Sequence, residues 1–315
     1  MTPEQRIEEQ NRLAIAGVSS ALLVDVCSVI YYLAYGRMDS YKREKDSVRL
    51  GNRIAAETAF FVRSALSIFN LGMCVLCFDS AYNIRKTLYT EYKSNRKKKP
   101  LPDAERFVID CVKDAAKVLR QNARRLGFQT TMAYGYEADD CMAVNVEYLA
   151  PRLRRIIMLT SDEDMYQCVK DNVFVARPKG KDLIDVAGVI KDYGVRPDQI
   201  AEHKALAGCN SDDVPGVAGI GKGTATEWLN GRPITPRRKA LIEAADLSLW
   251  RLLTKLPLVH ASHPPPFVCY DPAVTLVKYN GWVEQFARDA GVNEDDFVSL
   301  SDDAETIPEP EDLIR

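Results

Sequence analysis

The chain has 315 residues, of which 46% are hydrophobic and 27% are charged, and its formal net charge is −2. This is the composition of an ordinary globular protein with room for about two domains. A run of about 18 apolar residues, as a membrane span needs, is absent, and the polar start is unlike a signal peptide, so we expect no membrane partner. Most of the eight cysteines lie in apolar segments, which predicts buried, reduced thiols and a cytoplasmic location.

Four apolar runs predict buried strands. These runs cover residues 21–25, 73–78, 156–161 and 173–175. Residues 1–18 are predicted to form a helical or loosely ordered arm, and residues 48–70 a long helix. Buried strands that alternate with helices indicate an α/β fold whose central sheet is mainly parallel.

An aspartate ends or follows each of the first three predicted strands. These residues are Asp25, Asp79 and Asp162, and Asp164 lies two positions further on. In open α/β sheets, sites form outside the carboxyl ends of the strands, so the three acids could converge there. One such aspartate alone is more simply a turn residue or a helix cap. Their recurrence favours a common site.

A second acidic feature opens a predicted helix. Glu137, Asp139 and Asp140 place three carboxylates in four positions, directly before an apolar run. The helix dipole explains one or two acids in a first turn. Two carboxylates ~4 Å apart repel by roughly 4 kcal/mol at an effective dielectric near 20. The cluster therefore suggests a bound cation.

A basic stretch lies between the second strand and this acidic helix. Residues 82–99 hold seven basic side chains and three interleaved tyrosines against one acid. The basic residues are Arg85, Lys86, Lys93, Arg96, Lys97, Lys98 and Lys99. Cationic groups neutralise phosphates and aromatic rings stack on unpaired bases, so this composition favours a single-strand binding element. A solvated basic helix face is the alternative.

A glycine-rich connection between two helices is predicted over residues 206–225. Gly219, Gly221, Lys222 and Gly223 stand before and at the start of the second helix, where free backbone amides suit a phosphate. Glycines that serve only a sharp turn are the alternative. The last residues, 301–315, form an acidic tail that is broken by prolines and predicted to be disordered.

Six stretches in this order resemble the 5′-nucleases, namely the flap endonucleases and the 5′→3′ exonucleases of phages and of bacterial DNA polymerase I. They are Leu23-Val24-Asp25, Phe78-Asp79-Ser80, Tyr89 to Arg96, Glu137 to Asp140, Ser161 to Asp164, and Gly208 to Ala225. The resemblance covers roughly residues 20 to 260. Each motif alone is weak, and the six in family order are highly specific.

The resemblance implies an architecture. An α/β PIN-like core with a central, mainly parallel sheet flanked by helices would cover residues 19–185. A helical arch at about 82–105 would admit a single-stranded 5′ end. A helical DNA-binding domain with a helix–three-turn–helix would follow at 186–300.

The resemblance also implies roles for individual residues. The first metal site would use Asp25, Asp79, Glu137, Asp139 and Asp140, and the second Asp162, Asp164 and Asp212. Lys93 and Arg96 would orient the scissile phosphate as catalytic groups, while Tyr92 and Arg85 would bind the substrate. One departure stands out, because Cys209 occupies a position where an aspartate ligand is expected, and a thiol suits Mg²⁺ poorly. Asp213 could compensate for it.

The function implied is a metal-dependent, structure-specific 5′ nuclease that uses two Mg²⁺ or Mn²⁺ ions, with a monovalent cation at the helix–three-turn–helix. Its substrates would be DNA junctions, free 5′ ends or RNA–DNA primers in replication and repair, and a DNA polymerase would be a partner. Nothing in the sequence indicates an oligomer, so we expect a monomer. Two alternatives stay open: a PIN-type ribonuclease, and a DNA-binding homologue with an impaired second metal site.

Overall fold

A single six-stranded sheet forms the centre of the protein in the computed structural model, which describes residues 2–95, 101–261, 266–274 and 281–292. The strands are β1 (Ser20–Asp25), β2 (Met73–Cys77), β3 (Gln129–Thr131), β4 (Arg155–Leu159), β5 (Val173–Ala176) and β6 (Leu183–Ile184). Their order across the sheet is β3-β2-β1-β4-β5-β6, and every pair is parallel except β5 with β6. The predicted α/β fold with a mainly parallel sheet is confirmed.

Helices surround this sheet and make up most of the remaining described chain. They are α1 (Pro3–Ala14), α2 (Val26–Gly36), α3 (Met38–Tyr41), α4 (Ser47–Ile68), α5 (Ile84–Leu88), α6 (Asp103–Asn122), α7 (Ala138–Leu149), α8 (Val186–Tyr193), α9 (Ile200–Ala207), α10 (Lys222–Leu229), α11 (Pro236–Ala244), α12 (Ser248–Thr254) and α13 (Trp282–Asp289). A 3₁₀ turn over Glu163–Cys168 follows β4. Among the described residues, no helix is long and apolar enough to cross a membrane.

The central strands are buried on both faces because helices cover each side. Leu22 and Val24 of β1 point into one core, together with residues of α2, α4 and α6. Ala21 and Leu23 point the opposite way, into a second core with α7 and the 3₁₀ turn. This alternation follows from the two-residue period of a strand and explains the unbroken apolar runs.

The N-terminal arm is a packed helix. Thr2 caps α1, and the buried side chain of Asn11 donates to the carbonyl of Val268 at 2.9 Å and accepts from the amide of Tyr270 at 2.7 Å. Gln129 of the edge strand β3 bonds residue Asp271 of the same C-terminal segment. The segment 266–274 therefore returns to the sheet, although it lies within the predicted DNA-binding domain. The predicted domain limits stay predictions.

The predicted arch region is only partly described. Its described residues contain the short helix α5, a turn up to residue 95, and the start of α6. Residues 96–100, with Arg96, and the acidic tail 301–315 lie outside the described residues. The prediction of a helical arch therefore stays a prediction.

Candidate metal centre and nucleic-acid interface

The carboxyl ends of β1, β2 and β4 bring the predicted aspartates together. Asp25 ends β1 opposite Cys77, two residues before Asp79. It also caps α2, since its Oδ1 accepts from the amide of Ser28 at 3.0 Å, and its Oδ2 accepts from the hydroxyl of Thr160 at 2.9 Å. The order of the sheet reverses direction at β1, so these acids lie at the crevice where open α/β sheets bind ligands.

The carboxylate of Asp25 lies close to two other acids of the crevice, Asp79 and Asp162. Burial and the nearby carboxylates of Asp79 and Asp162 together raise the pKa of Asp25 to about 7. Hydrogen bonds from Ser28 and Thr160 only partly oppose this rise. A group that resists ionisation for these reasons would be stabilised by a cation.

The start of α7 joins the same crevice. Asp79 accepts a hydrogen bond from the amide of Ala138 at 2.9 Å, which ties the end of β2 to the first turn of α7. Asp139 is 8% exposed, and its pKa is raised well above the usual range by burial and by the carboxylates of Asp140 and Glu137. Carboxylate oxygens of Asp139, Asp162 and Asp164 all lie within 4.8 Å of one another. Oxygen ligands at this spacing fit a hard divalent cation.

Lys204 was not singled out from the sequence, yet its ammonium pairs with Asp164 in this cluster. It lies in α9 and is 8% exposed. The sequence offered one signal, since Lys204 directly precedes the apolar pair Ala205 and Leu206 and could be buried with them. A buried lysine is seldom without a partner, so an acid near it could have been expected.

Lys93 connects the acidic helix to the loop after α9. Its Nζ lies 2.5 Å from Oε1 of Glu137 and 3.7 Å from Oδ1 of Asp212. Burial alone would raise the pKa of Glu137, but the charges of Lys93 and Arg85 outweigh it and lower that pKa to about 2. Glu137 is therefore ionised and already paired. Tyr92 also donates to Glu137, at 2.9 Å, and is 2% exposed, so little of its ring is open to a substrate here.

Arg85 and Asp140 form a buried ion pair beneath the crevice. The guanidinium donates two bonds to Asp140, at 2.5 and 2.8 Å, and others to the carbonyls of Leu253 and Lys255. Asp140 also accepts from the amide of Leu258 at 2.7 Å. The two side chains are 1% and 0% exposed. Protein partners enclose both side chains, and their predicted roles in substrate and metal binding stay predictions.

The loop after α9 carries the departure at Cys209. Asp212 is buried and forms an ion pair with Lys93. Asp213 instead accepts a hydrogen bond from the amide of Asn95, in the basic stretch, at 2.7 Å. Sγ of Cys209 lies 3.6 Å from Oδ2 of Asp212 and 3.0 Å from Oγ of Ser211. The loop thus presents a thiol beside Asp212.

The glycine-rich turn before α10 is open to solvent. Gly219, Gly221, Lys222 and Gly223 are all exposed. A Cβ added at Gly221 or Gly223 would meet nothing within 4 Å, so contacts within the protein do not require glycine there. Absent side chains at a helix start leave the amides accessible to an approaching phosphate.

Comparisons with known proteins agree with this geometry. The sequence profile of the 5′-3′ exonuclease, N-terminal resolvase-like domain, matches residues 20–194. The chain is 35% identical over 202 residues to the thermostable DNA polymerase I of Thermus aquaticus, covering 58% of this chain and 23% of that protein. It is 32% identical over 156 residues to a 5′-3′ exonuclease of Aquifex aeolicus, covering 49% and 51%. The match thus spans about half or less of these relatives.

Solved structures share the fold. The 5′-exonuclease of bacteriophage T5 with bound zinc ions superposes with a TM-score of 0.63 at 17% identity, covering 86% of this chain and 98% of that one. A T5 flap endonuclease in complex with DNA and metal ions gives a TM-score of 0.61 at 18% identity, covering 86% and 97%.

Proposed function

Because the chain belongs to the 5′-3′ exonuclease family, we propose that it is a metal-dependent, structure-specific 5′ nuclease that hydrolyses phosphodiester bonds near the 5′ end of DNA. The observation that carries this proposal is the convergence of acids from the ends of β1, β2 and β4 with Asp139 at the start of α7. RNA–DNA primers as substrates and a DNA polymerase as partner belong to the same proposal.

The cofactor we propose is Mg²⁺ or Mn²⁺. All the acidic donors of the crevice are carboxylate oxygens, which both ions accept. Asp139, Asp162 and Asp164 would hold one ion, and Asp25 and Asp79 stand at the same strand ends to hold it or a second one. Divalent ions there would lower the pKa of water and offset the charge of the phosphate.

The paired residues would position this centre. The ion pair of Arg85 with Asp140 would fix the first turn of α7, so that Asp139 faces the crevice. Lys93 already lies among carboxylates, and we assign it the orientation of the scissile phosphate, where its positive charge would stabilise the transition state. Arg96 would assist it. Tyr92 holds Glu137 in place.

Duplex DNA would be held by the turn before α10. Exposed amides and Lys222 at a helix start suit a backbone phosphate, and the open space at Gly221 and Gly223 permits a close approach. Contacts of this kind position the duplex without reading its sequence.

A second candidate is a DNA-binding homologue with weakened catalysis. It is favoured by one observation, the thiol of Cys209 beside Asp212. The grouping of Asp139, Asp162 and Asp164 at the crevice favours the active nuclease.

The test is cleavage of a 5′-end-labelled double-flap DNA with Mg²⁺ or with chelator. We expect cleavage only with the metal, and a loss of at least about 100-fold in the Asp139→Asn/Asp162→Asn double variant. Asp182→Asn, an exposed aspartate, is the matched control. Binding of the same DNA in Ca²⁺ would show that the double variant is folded. Cleavage in chelator, or full activity of the double variant, would reject the proposal.

A further inference from the structure

Two stacked tyrosines lie beside the acidic crevice and take no part in the contacts described above. The rings of Tyr82 and Tyr134 have centroids 5.1 Å apart and planes inclined by 14°. Tyr134 is 74% exposed, which leaves the outer face of its ring open to solvent. An exposed aromatic ring of this size is a candidate binding surface.

The loops that carry these tyrosines are fastened to each other. Oγ of Ser80 accepts from the amide of Tyr82 at 3.3 Å and from the amide of Gly135 at 3.1 Å. The amide of Ser80 donates to the carbonyl of Tyr136, and that of Ile84 donates to the carbonyl of Gly135, at 3.0 and 2.9 Å. The two loops therefore form one unit, and the tyrosine pair is held by its backbone.

Tyr82 supports Tyr134 from the protein side. Its ring packs against the buried cluster of Ile84, Tyr136 and Leu258, and its hydroxyl lies 2.6 Å from that of Thr87. With one face of Tyr134 stacked on this anchored ring, a ligand on the other face would find the ring already oriented. Such preorganisation reduces the entropy lost on binding.

The same unit carries two acids of the crevice. Asp79 directly precedes Ser80, and Glu137 stands three residues after Tyr134. Arg120 adds positive charge next to the loop, since its Nη1 lies 3.0 Å from the sulfur of Met132, which is itself 47% exposed. A flat, open ring two positions after the residue that Arg120 contacts, on the same loops as two acids of the proposed site, suits one ligand class, an unpaired nucleobase on its sugar-phosphate strand.

We propose that Tyr134, backed by Tyr82, stacks an unpaired base of the substrate next to the junction that is cleaved. This inference rests on the proposed nuclease function. Stacking on an aromatic face tolerates every base, so it would select for single-stranded character without reading sequence. It would thereby help to place the junction between single-stranded and double-stranded DNA at the acids of the crevice.

The test measures affinity for double-flap DNA and for the corresponding nicked duplex by fluorescence anisotropy, with Ca²⁺ in place of Mg²⁺. Base stacking predicts that Tyr134→Ala weakens flap binding by about 5- to 150-fold and leaves duplex binding unchanged. Tyr134→Phe, which keeps the ring, should bind the flap like the wild type, whereas Tyr134→Leu should bind like Tyr134→Ala. Phe267→Ala removes another ring, 69% exposed, and serves as the control.

A second measurement reports the stacked base itself. With 2-aminopurine at successive unpaired positions, one position should be quenched by the wild type and by Tyr134→Phe, and not by Tyr134→Ala. Unchanged flap affinity and quenching in Tyr134→Ala, or equal losses on flap and duplex, would overturn the inference. If the wild type itself fails to cleave the flap in Mg²⁺, the proposed function fails instead, so the two failures are distinguishable.

Discussion

Replacing Asp25 by asparagine should stabilise the metal-free protein while removing the nuclease activity that we propose for it. The half-buried carboxylate lies close to Asp79 and Asp162, and its pKa is raised from the usual 3.8 to about 7. Asparagine can keep both contacts, accepting from the amide of Ser28 and donating to the hydroxyl of Thr160. The substitution thus removes the charge and preserves the shape.

The size of the effect follows from the pKa. A rise from 3.8 to about 7 corresponds to roughly 4 kcal/mol, at ~1.4 kcal/mol for each pH unit. Local relaxation and water reduce this, so we expect Asp25→Asn to raise the free energy of unfolding by about 2 kcal/mol at pH 8. The folded pKa lies above the unfolded one, so the stability contributed by protonated Asp25 is complete below pH ~4 and is lost as the pH rises through about 7. The advantage of the variant should therefore be absent at pH 4 and complete at pH 8.

Urea unfolding in chelator, followed by circular dichroism at pH 5, 6, 7 and 8, measures this advantage. Asp182→Asn, which removes an exposed carboxylate, should show no such dependence on pH. Adding Mg²⁺ at pH 8 should stabilise the wild type more than the Asp25→Asn variant, because the ion offsets the repulsion that the substitution removes. Equal unfolding free energies of the wild type and Asp25→Asn at pH 8, or a difference that does not change between pH 5 and pH 8, would refute the reasoning.

Three further substitutions probe the site and its supports. Cys209→Asp should lower the Mg²⁺ concentration for half-maximal cleavage by roughly tenfold, with equal or faster cleavage; loss of activity would mean that the position does not face a metal. Arg85→Met should leave Asp140 buried and unpaired, which should lower the free energy of unfolding in urea by about 3–5 kcal/mol. A loss near zero, as expected for an exposed arginine, would contradict the buried ion pair. Gly216→Ala should destabilise the protein by about 2 kcal/mol or more, since φ is +68° and a Cβ would meet the amide of Gly208 at 2.3 Å; thermal unfolding that matches the wild type would exclude this crowding.

The strands that hold the site could be predicted because burial on both faces leaves an apolar run. β1, β2, β4 and β5 each coincide with such a run to within a residue or two. β3 and β6 were not predicted, since strands of three and two residues carry too little periodic signal. Their pairing depends on neighbouring strands and not on their own residues.

The location of the site could be predicted from the sequence more readily than the contacts of its individual residues. Asp25, Asp79 and Asp162 share one edge because parallel strands end together, and this was foreseeable. The burial of Arg85 and Asp140 was not, because the two residues are 55 positions apart and the carbonyl and amide that enclose them lie on residues more than a hundred positions away. Lys204 escaped notice for the same reason, since nothing in its local sequence points to Asp164.

The buried ion pair of Arg85 and Asp140 has a consequence for the order in which the proposed metal centre forms during synthesis. Arg85 needs the carbonyls of Leu253 and Lys255, and Asp140 needs the amide of Leu258. A ribosome that has released only the region matching the family profile has made every acid of the crevice and the Arg85–Asp140 pair, but not the carbonyls and the amide that enclose this pair. We therefore expect that region, expressed by itself, to fold with a loosened acidic helix. The last third of the chain supplies hydrogen bonds to this ion pair, so we expect a growing chain to gain a fully ordered acidic centre only after the turn beyond α12 has emerged.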